Sequence, residues 1–141
     1  MRRHPHPQLY VHLVWTTWDR AALITPDIRD RIYPMMQRKA ADLRAEVLAI
    51  GGIEDHVHVL ARYRPTLAIA DLVQQMKGAS SFLASQVMGR PFKWQGAYGA
   101  YSVSRSGLRV VRNYVLNQEA HHRGTTTYAV LEATHDATVR G

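Results

Sequence analysis

The chain of 141 residues carries 18 Lys and Arg against 11 Asp and Glu, a formal net charge of +7 with a pI near 10.1. It has no cysteine, which excludes disulfide frameworks and thiolate-held metals, and no apolar run approaches the ~20 residues of a membrane-spanning helix. A hydrophobic fraction of 46% supports one domain, 1–141, with a genuine core, and the charge surplus favours a polyanionic partner, nucleic acid before membrane. The basic start Met1-Arg2-Arg3-His4-Pro5 lacks the apolar segment of a signal peptide, so a cytoplasmic location is expected.

Leu9 to Trp15 reads as a first strand, with Val11, Leu13 and Trp15 on one side and Tyr10, His12 and Val14 on the other. Thr16 to Leu23 is a connection carrying Arg20. Thr25-Pro26-Asp27 then starts a helix with a capping hydroxyl, a proline at the first helical position and an acid in the first turn. Its apolar stripe is Ile28, Ile32, Met35, Met36 and Leu43. Pro34 costs about 3 kcal/mol in a regular helix interior and predicts a kink or break. Val47 to Ile50 forms a second strand closed by Gly51-Gly52, and a turn at Glu54-Asp55 leads into the strand beginning at His56, a hairpin arrangement.

Pro65-Thr66 opens a second helix that buries Leu67, Ile69, Leu72, Val73, Met76 and Leu83 and ends at Gly89-Arg90-Pro91. Gly78 and Ser80-Ser81 weaken its middle. Tyr98 to Val103 is a fourth strand, Ser104 to Gly107 a flexible link, and the last helix runs from about Leu108 to His122. This order predicts an α+β, ferredoxin-like split β-α-β domain: a four-stranded antiparallel sheet, two helices on one face and an extra C-terminal helix near the other, open face.

Strand alternation sends His56 and His58 to the same side, away from Val57, Val59 and Ala61. On the last helix, positions four apart stack, so Tyr114 and Gln118 project together at the edge of the stripe Leu108, Val111, Val115. Two imidazoles form an incomplete metal site, and an amide oxygen is a reasonable third ligand for a hard ion that also prefers phosphate oxygens. A free phenol titrates near 10 and attacks poorly at neutral pH, whereas a metal that polarises a phosphodiester lowers the demand on it. No glycine-rich phosphate loop points to a nucleotide cofactor.

Four segments resemble a known family. They are Glu54-Asp55-His56-Val57-His58-Val59-Leu60, then Leu72-Val73-Gln74-Gln75-Met76-Lys77-Gly78, then the stretch from Trp94 to Ser104, and finally Val111 to His122, with Asn113-Tyr114-Val115-Leu116-Asn117-Gln118 at its centre. In this order and at these separations they look like the single-tyrosine HUH transposases of single-strand insertion sequences, over residues 9–123, leaving 124–141 as a divergent tail. The repeat-associated tyrosine transposases are a related domesticated group, and the Trp94 to Ser104 wording is nearer the mobile one. The resemblance implies Tyr114 as nucleophile, and His56, His58 and Gln118 as ligands of Mg²⁺ or Mn²⁺. It further implies cleavage and rejoining of single-stranded DNA through a 5′-phosphotyrosine, recognition of hairpins at element ends, and a homodimer whose tyrosine helix is supplied in trans, with Ser104 to Gly107 as the hinge.

Single strands are held by cationic grooves and stacked aromatics. Lys77, Lys93, Arg105 and Arg112 are the candidate DNA contacts, with Trp94 or Trp15 as the stacking surface; His12 is a candidate partner of the histidine strand, and His121 and His122 are candidate phosphate contacts. Two alternatives remain. One is a catalytically inactive single-stranded nucleic-acid-binding module or repressor derived from a transposase. The other is a different HUH nuclease, such as a replication initiator or relaxase.

Overall fold

The computed structural model describes residues 9–120. The expected roles of His121 and His122, the tail 124–141 and the basic N-terminus lie outside them. Strand β1 (Leu9–Thr16) leads through a 3-10 turn (Trp18–Arg20) into α1 (Pro26–Asp42). The hairpin β2 (Glu46–Ile53) and β3 (His56–Tyr63) follows, then α2 (Ile69–Met88), β4 (Gly99–Val103), a second 3-10 turn (Arg105–Gly107) and α3 (Leu108–Leu116). The sheet order is β2-β3-β1-β4, antiparallel throughout, which is the expected split topology.

Alternation divides the sheet between two cores. Val11, Leu13, Trp15, Val57, Val59 and Ala61 join Ile28, Ile32 and Met36 of α1 and Leu72, Val73 and Met76 of α2 in the large core. On the opposite face, Leu60 and Ala49 meet Val115 of α3 in a much smaller one. The face expected to be open is therefore closed over β2 and β3. His12, His56 and His58 all have zero exposure there, because α3 lies down on the sheet.

Thr25 caps α1 as anticipated, its hydroxyl accepting from the Ile28 amide at 3.3 Å. Pro34 does not break the helix, which runs unbroken from Pro26 to Asp42. Pro34 and Asp30, whose carbonyl loses its partner, both lie on the exposed face, where water can replace the missing bond. β2 does not stop at Gly51-Gly52 but passes through both to Ile53. α2 begins at Ile69, four residues later than Pro65 implied, and ends on Gly89 in the left-handed conformation, φ 68°. α3 is interrupted at Asn117, which leaves helical geometry at φ −111°, ψ 33°, and residues 118–120 are helical again; the expected end at His122 lies outside the described residues. Ser104 to Gly107 is an ordered turn, with the Ser104 hydroxyl accepting from the Gly107 amide at 3.1 Å. Among the described residues no helix is long and apolar enough to cross a membrane.

Candidate active site

The floor of the site is the β1–β3 ladder. Register pairs His56 with Thr16 and His58 with Val14, which puts His12 diagonally across from His58 on the same face. The two rings stack with centroids 5.0 Å apart, and His12 Nε2 lies 2.8 Å from His58 Nδ1. His56 Nδ1 lies 2.8 Å from Asp55 Oδ1. Each histidine of the His-x-His pair is thus held at Nδ1, which fixes its ring plane, the arrangement a metal-binding histidine would need. Burial raises the Asp55 carboxyl, but the hydrogen bond to His56, the His56 charge and the Arg20 guanidinium together outweigh it and hold its pKa below the ordinary carboxylate value. Arg20 Nε stands 3.4 Å from Asp55 Oδ2.

The roof is α3. Its approach is set by Gly51, which pairs with His58 in the β2–β3 ladder and has no side chain to hold the helix off; a Cβ there would overlap the Val115 carbonyl. At this height the Tyr114 ring meets His58 edge to face, centroids 5.6 Å apart, and stands 6.5 Å from His12. At the irregularity around Asn117 the backbone N–H of Asn117 still reaches the Asn113 carbonyl at 3.1 Å and the Tyr114 carbonyl at 3.3 Å, and side-chain amides add to these bonds. Asn117 Nδ2 donates to the Asn113 carbonyl at 2.7 Å and Gln118 Nε2 to the Tyr114 carbonyl at 2.9 Å. With its amine end so engaged, Gln118 turns Oε1 toward His56 Nε2, 3.3 Å away.

This donor set fits a hard divalent ion. Two ligands about 2.1 Å from an octahedral ion stand about 3 Å from each other, close to the His56–Gln118 separation of 3.3 Å. Among the described residues no group of three His, Cys, Asp or Glu side chains is placed to hold a metal ion; the side-chain oxygen beside His56 is that of Gln118. Tyr114 and Gln118 are 1% exposed and the histidines 0%. On the same face the histidines are flanked by the buried Val14, paired with His58, and Leu60, paired with His12.

The structure brings His56, His58, Tyr114 and Gln118 together, with His12 behind them. It disperses the rest. Trp94 is 6% and Trp15 0% exposed, so neither presents a stacking face; the Trp94 indole N–H donates to the buried Ser80 hydroxyl at 2.9 Å. Lys77 points inward, its Nζ donating to the carbonyls of Gln95 at 2.7 Å and Ala97 at 3.1 Å. Lys93, Arg105 and Arg112 are exposed. Three residues escaped sequence reasoning: Asp55, which read only as a turn residue; Gly51, which read as a strand end; and Trp18, 49% exposed with the Lys93 ammonium 4.0 Å over its ring.

Comparison with known proteins adds to this geometry. Residues 6–118 match the family model described as an IS200-like transposase. The ISDra2 transposase TnpA of Deinococcus radiodurans is 28% identical over 118 residues, covering 79% of this chain and 84% of that one. In fold, the chain is similar to a Deinococcus radiodurans crystal structure described as a candidate transposase, with a TM-score of 0.66 at 24% identity over 84% of this chain and 96% of that one. It is also similar to a REP-associated tyrosine transposase bound to a REP hairpin, with a TM-score of 0.61 at 11% identity over 82% and 69% of the two chains.

Proposed function

The chain belongs to the IS200-like transposases, and from that premise we propose that it cleaves and rejoins single-stranded DNA with Tyr114 as the nucleophile. The observation that carries the reading is the meeting of Tyr114 with His58 at 5.6 Å, beside the pair His56 Nε2 and Gln118 Oε1. His56, His58 and Gln118 would hold Mg²⁺ or Mn²⁺, which when bound polarises the scissile phosphate and so lowers the demand on a weak nucleophile.

In the reaction the Tyr114 oxygen forms a bond to the phosphorus as the bond from phosphorus to the 3′ oxygen breaks. The phenol gives up a proton and the departing 3′ oxygen gains one. A 5′-phosphotyrosine and a free 3′-hydroxyl result. Attack of another 3′-hydroxyl reverses the step and restores Tyr114, so one phosphodiester replaces another without a nucleotide cofactor. Asp55 and His12 act by holding the two imidazoles, in ring plane and tautomer, while this happens.

The described arrangement is closed, so α3 has to lift for a DNA strand to enter. Its apolar anchorage is the small cluster around Ala49, Leu60 and Val115, while Val110 at 62% and Leu116 at 49% exposure remain in solvent. A helix so lightly seated, on the turn Ser104 to Gly107, suits a homodimer in which α3 serves the partner's histidines. The hairpin held by the structural neighbour supports hairpin DNA as substrate, with Lys93, Arg105 and Arg112 as phosphate contacts.

The burial of Tyr114 and the histidines favours a second reading, a binding module that performs no chemistry. Incubation with labelled single-stranded DNA, with Mn²⁺ or with chelator, followed by denaturing gels separates the two. A metal-dependent covalent adduct that Tyr114→Phe abolishes while DNA binding persists is the expected result. Binding indifferent to metal, with no adduct from the unaltered chain, would establish the second reading.

A further inference from the structure

A lone exposed aromatic is ordinary on a protein surface, but the turn that carries Trp18 is not. Asp19 and Arg20 both have left-handed backbones, φ 56° and 52°, without being glycine; aspartate adopts this region readily, whereas for arginine it is uncommon and needs support from surrounding contacts. Those contacts are all in place. The Thr17 hydroxyl donates to the Ala21 carbonyl at 2.6 Å, the Trp18 amide to the Lys93 carbonyl at 2.9 Å and the Asp19 amide to Gln95 Oε1 at 3.4 Å, while Arg20 is tied to Asp55. The chain is fastened so that an indole 49% exposed stands in solvent, with the exposed Lys93 ammonium 4.0 Å above its ring.

The turn is also fastened to the catalytic strand. The Thr17 amide donates to the Asp55 carbonyl at 2.9 Å, Asp55 holds His56 through Nδ1, and Thr16 pairs with His56 in the ladder. Trp18 is therefore one residue along the chain from a group bonded to the neighbour of a proposed metal ligand. An aromatic face with an adjoining ammonium is what a single strand uses, one base on the ring and the next phosphate on the cation. The net charge of +7 supplies the long-range attraction for such a strand.

We propose that Trp18 is the stacking platform for a nucleobase of the bound single strand, within a nucleotide or two of the scissile phosphate, with Lys93 on the adjoining phosphate. The inference rests on the single-stranded DNA reading given above. It names a base-holding residue that the buried Trp15 and Trp94 cannot be.

The test is a binding scan in chelator. Single-stranded oligonucleotides carrying one abasic site, moved a nucleotide at a time, are titrated against the unaltered protein, Trp18→Ala and Trp18→Phe. Trp18→Ala should bind the intact strand on the order of tenfold more weakly, and Trp18→Phe, which keeps an aromatic face, nearly normally. At one position the missing base should cost the unaltered protein that same factor and cost Trp18→Ala nothing further. Abasic penalties identical in the two proteins at every position would overturn the proposal, as would full affinity in Trp18→Ala. The scan reads binding alone, so a chain that passes it yet forms no adduct with Mn²⁺ keeps its stacking platform and loses the transfer reaction.

Discussion

Gly51 and Val115 meet backbone to backbone, and their contact sets the height of α3 above the sheet. A Cβ on Gly51 would overlap the Val115 carbonyl, and main chain on both sides leaves no side chain free to yield. Because Gly51 pairs with His58, this is also the level at which Tyr114 reaches the histidines. Gly51→Ala should therefore lift α3 and carry Tyr114 away. We expect a loss of about 1–3 kcal/mol in stability, as for overpacked cores, and at least a tenfold fall in adduct formation, since displacements on the order of 1 Å at a reacting group carry penalties of that size or larger. Thermal melts and adduct gels measure the two, and unaltered adduct formation would show that the contact does not position the helix.

Asp55 orients His56 through Nδ1 and is itself steadied by Arg20, whose side chain is 41% exposed. Asp55→Asn removes the carboxylate that fixes the ring, and losses of this kind typically weaken metal affinity by about 10- to 100-fold. Arg20→Met should do far less, because a partly exposed ion pair contributes only about 0–1 kcal/mol. Calorimetric titration with Mn²⁺ ranks the two variants, and equal losses would mean that Arg20, not the carboxylate, governs the site.

The parts of this site that were legible from the residues are those fixed by local periodicity. A period of two put His56 and His58 on one face, and helical spacing put Tyr114 beside Gln118. What was not legible depends on which distant backbone arrives. Asp55 is as natural in a turn as it is behind a histidine, so its neighbours in the chain do not distinguish the two roles. Gly51-Gly52 signals a turn until α3 is known to rest on it. The three tryptophans have the same preferences, and what separates Trp94, 6% exposed and bridged to Thr17, from Trp18, 49% exposed, is where the chain around each is fastened. The irregularity at Asn117 was hidden for a similar reason, since the sequence on both sides of it keeps one helical pattern and residues 118–120 are helical again, with the Gln118 amide donating to the Tyr114 carbonyl across it.

Ser80 is a polar residue with zero exposure, and its hydroxyl links the α2 backbone to Trp94. It donates to the Met76 carbonyl at 2.6 Å and accepts the Trp94 indole N–H at 2.9 Å. Ser80→Ala strands that N–H inside the main core, at about 1–3 kcal/mol. The melting temperature should fall by several degrees, whereas Ser80→Thr, which keeps the hydroxyl, should recover part of the loss if its methyl is accommodated. A Ser80→Ala protein as stable as the original would mean that water replaces the hydroxyl.

Lys77 is one of only three lysines in the chain. Burial beneath residues 95–97 pushes its pKa down to about 8, because desolvation penalises the ammonium. In the unfolded chain the same group titrates near 10.4. Between those two values the unfolded state binds more protons than the folded one, so this residue makes stability rise with pH across about pH 8 to 10.4 and contributes no slope below that window. Urea unfolding of the unaltered protein minus that of Lys77→Met, measured at intervals from pH 7 to 10, isolates the effect from the tyrosines that titrate nearby. The difference should be flat to about pH 8 and then climb in favour of the unaltered protein; a flat difference throughout would show that the carbonyls of Gln95 and Ala97 hold the ammonium charged.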